Sequence, residues 1–431
     1  MTLFRTSVLS ALSVLTKLAT SLYLSKVLAV YVGPAGYGII GQFQSLVSMV
    51  TTFASGATNS GVTKYTAEYA DAPMRQQIVW ATAATIGLGG AVLFGLLLAL
   101  FRQPLSSWLL GTEQYASVFV WLAASLSFLV LNGLLLAILN GRKAVRELVT
   151  ANIVGSLTGA LLATLLVRQF GLLGALIALA INQAAAFVFT AWLFQRTTST
   201  KWRTLLGRID GGVAKSLGGF ALMAATTALV VPIGQILIRD QIAGQLGWDT
   251  AGLWQALCRI SETHLLLLTS TLSVYFLPRF SEIKSGRELH HEVMSGYRFV
   301  VPVVLASAIG LYLFREGIVR LLLTADFLPL TQVLGLQLVG DALKICSWLM
   351  AFTMISHART KVFIVTEVVF TVMYVVATIF LSRQFGLLGT SMAYAGVYLL
   401  YWITMYWLLR DLVTQLDRTQ RALSPQVENR T

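Results

Sequence analysis

The sequence predicts an all-α polytopic membrane protein of about twelve transmembrane helices, arranged as two homologous six-helix lobes. Three observations carry that expectation. Hydrophobic residues make up 56% of the 431 and charged residues 11%, against roughly 25% charge in an ordinary soluble domain. Apolar runs of about 20 residues, each long enough for a hydrocarbon core of roughly 30 Å, recur from end to end. A seven-residue stretch also returns letter for letter 215 positions later. Alternation of the β-barrel kind is absent, so the spans are read as helices, which satisfy their own backbone hydrogen bonds in lipid.

The spans fall at approximately 8–30, 38–60, 78–101, 115–139, 149–167, 173–194, 217–238, 251–276, 297–314, 331–356, 362–381 and 387–409. The first run carries Lys17 and Lys26 and lacks a small-residue cleavage site, so it reads as a retained span. Residues 1–194 form the first lobe, 195–216 a basic linker, 217–410 the second lobe and 411–431 a polar tail that frays after Arg410. The gaps after span 3, with Pro104 and Trp108, and after span 9, with Arg320, read as short helices in the outer interface or as packing collars. Trp80, Trp202, Trp248 and Trp402 near the span ends fit an aromatic belt.

Charge sets the orientation. Of the 31 Lys and Arg residues, 21 fall in gaps on the amino-terminal side, six in the opposite gaps and four within spans. The positive-inside rule then puts both termini in the cytoplasm. The net charge of +13 follows from this asymmetry and suits anionic lipid; the basic loops lack RNA-type aromatic interleaving, so no nucleic-acid partner is expected. Cys258 and Cys346 lie in apolar runs as small hydrophobes. No nucleotide loop, zinc spacing or nucleophile-base arrangement appears, which argues for a transporter, not an enzyme, with no cofactor. Gly36-Tyr37-Gly38-Ile39-Ile40-Gly41 fits a dinucleotide pattern, but no strand precedes it. Gly155 and Gly159 read as a close helix-packing face, and the glycosylation sequon Asn429-Arg430-Thr431 is discarded as cytoplasmic.

The duplication joins Arg168-Gln169-Phe170-Gly171-Leu172-Leu173-Gly174 to Arg383-Gln384-Phe385-Gly386-Leu387-Leu388-Gly389. Leu100-Phe101-Arg102 returns as Leu313-Phe314-Arg315, and Ala35-Gly36 as Ala251-Gly252, at offsets of 213 and 216. Six spans separate the copies, an even number, so the halves read as parallel repeats. The bland alternative is that Phe-Gly-Leu-Leu-Gly is a common turn between helices.

Ionisable residues inside spans are costly and usually face a cavity or a partner. Lys17 lies near mid-membrane; Lys26, near the outer end, is equally explained by snorkelling. Span 8 carries Arg259 and Glu262, span 10 Asp341 and Lys344, and span 11 Glu367. Each i,i+3 pair shares a helix face within ion-pair reach. It is either a self-neutralised structural pair or the lining of a central hydrated cavity, whose cations hold an anionic head group while the acids respond to protons or cations. His264 reads as a core histidine.

Lys26 to Gly38 (KVLAVYVGPAGYG), Gly61-Val62-Thr63-Lys64-Tyr65, Trp254-Gln255, Ser273-Val274-Tyr275-Phe276-Leu277-Pro278 and Leu338-Val339-Gly340-Asp341-Ala342-Leu343-Lys344 resemble the Wzx flippases over essentially the whole chain. The resemblance implies a fold of the multidrug/oligosaccharidyl-lipid/polysaccharide exporter (MOP) superfamily, MATE-like, with two lobes around a central cationic cleft in a bacterial inner membrane. The implied cargo is an undecaprenyl-diphosphate-linked oligosaccharide, either lipid III of enterobacterial common antigen or an O-antigen unit. It would pass from the cytoplasmic to the periplasmic leaflet by alternating access, with a cation or proton gradient as the available drive. By position Glu262, Asp341, Lys344, Lys17 and Lys26 match residues of these relatives, whereas Arg259 has no basic counterpart. Lys17, Lys26, Arg259 and Lys344 are the candidate diphosphate cations, and Glu262, Asp341 and Glu367 the coupling acids. Beyond the glycan and membrane lipid, a glycan polymerase and chain-length proteins are the expected partners. A drug/cation antiporter or a lipid II flippase of the same superfamily are the alternatives. The first would need an acid on an early span, which spans 1 to 6 lack mid-membrane, and the second usually runs to more spans.

Overall fold

The structure, a computed structural model, describes residues 3–197, 205, 207, 209–283, 285–357 and 359–428. Twelve α-helices follow in chain order among these residues: α1 (Leu3–Ala54), α2 (Asn59–Glu68), α3 (Pro73–Leu100), α4 (Arg102–Leu110), α5 (Ala116–Gly141), α6 (Val145–Thr197), α7 (Gly211–Glu282), α8 (Gly286–Leu313), α9 (Arg315–Leu322), α10 (Thr331–Ser356), α11 (Thr360–Phe385) and α12 (Leu387–Glu428). No strand occurs among the described residues. Three helices bend at a single glycine: α1 at Gly33, α6 at Gly171 and α7 at Gly247. Counting each of these as two, α1, α3, α5 to α8 and α10 to α12 supply the twelve expected spans. Their length and apolar composition make this a multi-pass membrane protein.

The repeat is legible in the backbone. Gly171 adopts φ 56°, ψ −132° and Gly386 φ 58°, ψ −137°, a left-handed turn that favours glycine. A Cβ on Gly174 would stand 1.9 Å from the carbonyl oxygen of Leu166, and one on Gly389 would stand 2.1 Å from that of Leu381. Phe101 (φ −96°, ψ 20°) and Phe314 (φ −97°, ψ 12°) each end a span, with short helices α4 and α9 beginning at the next residue. Matching letters therefore occupy matching conformations at two separate corners, beyond what one common turn would produce. Substituting alanine at Gly174 or Gly389 is expected to lower stability by about 1–3 kcal/mol, the usual range for forced overpacking. Gly171→Ala has open space around its Cβ and meets only the left-handed backbone cost of about 1 kcal/mol. A smaller fall in melting temperature for Gly174→Ala than for Gly171→Ala would contradict this assignment.

Two compact units divide the chain, Met1–Ile236 with Leu322–Thr324, and Leu237–Leu321 with Ala325–Thr431. In the first, Trp80, Leu135, Ile138 and Phe194 form the centre of a core. Residues 198–204, 206 and 208 of the expected linker lie outside the described residues. The rest is pinned to the first unit: Leu205 joins that core, Thr85 donates to the Gly207 carbonyl (3.0 Å) and Asp210 N–H donates to Thr82 (3.2 Å). The boundary consequently falls inside α7, where Gln42 donates to the Ile236 carbonyl (3.3 Å). In the second unit Phe280, Leu289, Val293, Ile345 and Leu349 are central.

Four expectations are corrected. Span 2 stops at Ala54, not near residue 60, because Gly56 and Ala57 take positive φ (61° and 50°) and the Ala57 N–H closes on the Thr52 carbonyl (2.9 Å); α2 follows. The tail does not fray at Arg410. α12 continues to Glu428, since Leu409 and Leu412 stay buried while Asp411 accepts from Arg359 (3.1 Å) and Asp417 from the Gly286 N–H (2.9 Å). Trp80 is not a belt residue: it is fully buried, donates to Thr66 (2.9 Å) and lies under the Arg142 guanidinium (4.7 Å). Arg239, one of the six in the opposite gaps because it follows the span expected at 217–238, lies within α7 and is 1% exposed. Trp202 and the sequon lie outside the described residues. The Gly155/Gly159 face packs as expected, with the Cβ position of Gly159 only 2.3 Å from Asn182.

Candidate functional site

The second unit gathers most of the charged span residues. The part of α7 after Gly247 carries Trp254, Gln255, Arg259, Ser261, Glu262 and His264; α10 carries Asp341 and Lys344, α11 Glu367, and α12 Tyr394 and Tyr398. A helix presents residues three and four apart on one face, so Ser261 and His264 meet α10 together, as do Tyr394 and Tyr398 from α12.

Asp341 is fully buried. Ser261 and Tyr394 (3.0 Å) donate to one carboxylate oxygen, and His264 Nδ1 approaches the other at 3.5 Å. His264 Nε2 is 2.8 Å from Ser307 Oγ, and the Ser307 hydroxyl donates to the Val304 carbonyl. The donor at each of these two contacts follows from the tautomer the imidazole adopts. His264 thus links the Asp341 carboxylate to Ser307 in an interior where polar contacts are felt strongly. Gln337 continues the network, donating to Ser261 (3.5 Å) and accepting from Ser391 (3.4 Å).

Lys344 does not pair with Asp341, as its spacing suggested. Among the described residues no carboxylate lies within 4 Å of its ammonium, which sits over the rings of Trp348 (5.1 Å), Tyr398 (5.2 Å) and Tyr394 (5.7 Å). Tyr394 separates the two, giving its hydroxyl to Asp341 and its ring to Lys344. Aromatic faces attract a cation without neutralising it, so the positive charge is retained. Arg239 is held the same way: its Nε and Nη2 donate to Gln255 (3.1 and 2.6 Å) and its guanidinium lies 5.4 Å from the Trp254 ring centre. The Trp254-Gln255 motif is therefore the seat of a buried arginine.

Glu262 is exposed and Arg259 half-buried. The charge of Glu262 acts on both Arg239 and Lys344, and that of half-buried Glu367 on Lys344. His264 is a buried histidine, as expected, but one tied to Asp341. In the first unit, Lys17 is exposed on α1, with no carboxylate within 4 Å among the described residues. Lys26 donates to the Leu323 carbonyl at 2.5 Å, within the first unit, a partner that neither the site nor the snorkelling reading named. No metal-binding group of three or more ligands occurs among the described residues.

Sequence reasoning missed Arg239, Ser261, Ser307, Tyr394 and Tyr398. Tyr394 and Tyr398, one turn apart in an apolar run, were the available signal. The serines carried none, since isolated hydroxyls are frequent in spans.

Comparison with known proteins gives a consistent picture. The family described as Polysaccharide biosynthesis protein matches residues 27–332. Proteins named Lipid III flippase from Escherichia coli (strain K12) and Shigella flexneri are each 32% identical over 401 residues, covering 93% of this chain and 96% of theirs. A solved inward-facing multidrug resistance MATE family transporter of the MOP superfamily superposes with a TM-score of 0.77 at 16% identity, over 94% of this chain and 96% of that one. The expected Wzx-type resemblance and MATE-like fold are thereby borne out, and the chain belongs to the polysaccharide biosynthesis protein family, built on the fold of the MOP-superfamily transporters.

Proposed function

We propose that this protein is a flippase carrying an undecaprenyl-diphosphate-linked oligosaccharide, of the lipid III or O-antigen type, from the cytoplasmic to the periplasmic leaflet of the bacterial inner membrane, with both termini cytoplasmic. A diphosphate cannot enter hydrocarbon without a compensating cation, whereas the polyprenyl tail never has to leave it. The observation that carries the reading is Lys344: a half-buried lysine whose ammonium is surrounded by aromatic rings, so its charge is kept for an incoming anion. The near-full-length likeness to proteins named Lipid III flippase supports the same class of cargo.

In this reading Lys17, Lys26, Arg259 and Lys344 are the phosphate cations. Asp341 with His264 is the coupling element, and Glu262 and Glu367 tune the field at Lys344. A drug or cation antiporter is disfavoured because its cargo would meet Lys344 with the same sign of charge. A glycan polymerase and chain-length proteins remain its expected partners in the membrane. Depleting the protein is expected to accumulate the lipid-linked glycan on the inner leaflet, and Lys17→Ala to reduce glycan export several-fold in a complementation assay. An unchanged lipid-linked pool on depletion would overturn the flippase assignment.

A further inference from the structure

The first unit contains a second feature, lined by none of the span charges considered above. Where α2, α3 and the start of α7 meet lies an open groove of about 390 Å³, within the roughly 300–1,000 Å³ of small-ligand sites. Its walls include Tyr65, Tyr69, Arg75, Ile78, Asp210 and Ser216. Tyr65 on α2 and Tyr69, which caps its C-terminal end, stand one turn apart, their rings nearly parallel (18°) with centroids 5.9 Å apart. The Arg75 guanidinium lies 5.8 Å from the Tyr69 ring centre. Asp210 accepts from the Val213 N–H (2.8 Å), capping α7, and remains exposed, as do Arg75, Ile78 and Ser216.

We infer that this groove is a carbohydrate subsite for a hexopyranose ring. The lining chemistry discriminates among ligands. A phosphate or anionic lipid headgroup drawn to Arg75 would also meet the Asp210 carboxylate, at a cost in like charge. A wholly apolar ligand would leave Arg75, Asp210 and Ser216 without hydrogen bonds and so lose affinity. A pyranose uses every wall: its C–H faces lie on tyrosine rings and isoleucine, its hydroxyls accept from Arg75 and donate to Asp210. Amphipathic rings with few rotatable bonds also make aromatic contact at low entropic cost. The assignment rests on the flippase reading only in naming the ring's source, a sugar of the carried glycan.

The test uses the full-length protein in nanodiscs, free of sugar-based detergent, with N-acetylglucosamine and glucose as probes in saturation-transfer NMR. Wild type is expected to saturate the pyranose ring protons. Tyr69→Ala and Arg75→Gln are each expected to weaken sugar affinity about fivefold, the equivalent of ~1 kcal/mol, while Tyr69→Phe retains most of it. Asp210→Asn keeps an acceptor for the α7 cap and should weaken sugar affinity while leaving the melting temperature unchanged. Inorganic phosphate and phosphatidylglycerol-containing nanodiscs should not displace the sugar. Absence of saturation in wild type, equal affinity across the exposed Arg75 and Asp210 variants, or displacement by phosphate or phosphatidylglycerol would overturn the subsite. Sugar binding with an unchanged lipid-linked pool on depletion would instead overturn the flippase reading and leave the subsite standing.

Discussion

Replacing Lys344 by alanine is expected to cut glycan export about tenfold or more, the effect of losing roughly 1.4 kcal/mol or more of charge stabilisation. The size of the effect follows from the surroundings. An ion pair exposed to water contributes little, but Lys344 sits among Trp348, Tyr394 and Tyr398, where low polarisability strengthens its attraction to an incoming phosphate. Lys344→Arg preserves both the charge and the affinity for aromatic faces and should retain most export, whereas Lys344→Met keeps the volume and should lose it. Membrane levels of each variant, measured alongside export, separate lost transport from lost protein. Export at the wild-type rate from Lys344→Ala would remove the phosphate-cation role altogether.

The second large effect is expected at Asp341. In Asp341→Asn the side chain keeps its shape and an oxygen to accept from Ser261 and Tyr394, so the protein should reach the membrane at normal levels. What disappears is the carboxylate that faces His264 at 3.5 Å. Transport of a fluorescent lipid-linked glycan in proteoliposomes should respond to an imposed pH gradient in wild type and lose that response in Asp341→Asn. A variant that still follows the gradient would exclude this pair as the coupling element. Asp341→Leu is different in kind: it orphans two buried hydroxyl donors and a buried histidine, and should lower stability by roughly 3 kcal/mol. The contrast between Asn and Leu separates a coupling role from a structural one.

Apolar run length, the letter-for-letter duplication and the identity of the span charges were all readable along the chain. Each is a local property: a hydrocarbon slab of fixed thickness demands a run of fixed length, and a glycine at a left-handed corner such as Gly171 or Gly386 is dictated by its own backbone. The Asp341–Lys344 ion pair, one of the two readings of that spacing, does not form, for an equally physical reason. Spacing along one helix says which residues share a face, not what stands opposite, and here Ser261, 80 residues earlier, and Tyr394, 53 residues later, reach Asp341 first. Arg239 and Trp80 were placed at surfaces for the same reason, because Gln255 and Thr66 offer them partners from elsewhere in the fold.

Composition and periodicity alone thus establish a twelve-span protein of repeated halves bearing unusual interior charge. Which charges are neutralised, which are kept, and where a polar groove opens depend on packing between helices distant in sequence. In lipid the hydrophobic effect does not select among helix faces, so close packing and hydrogen bonds choose the partners, and those leave little trace in a one-dimensional pattern.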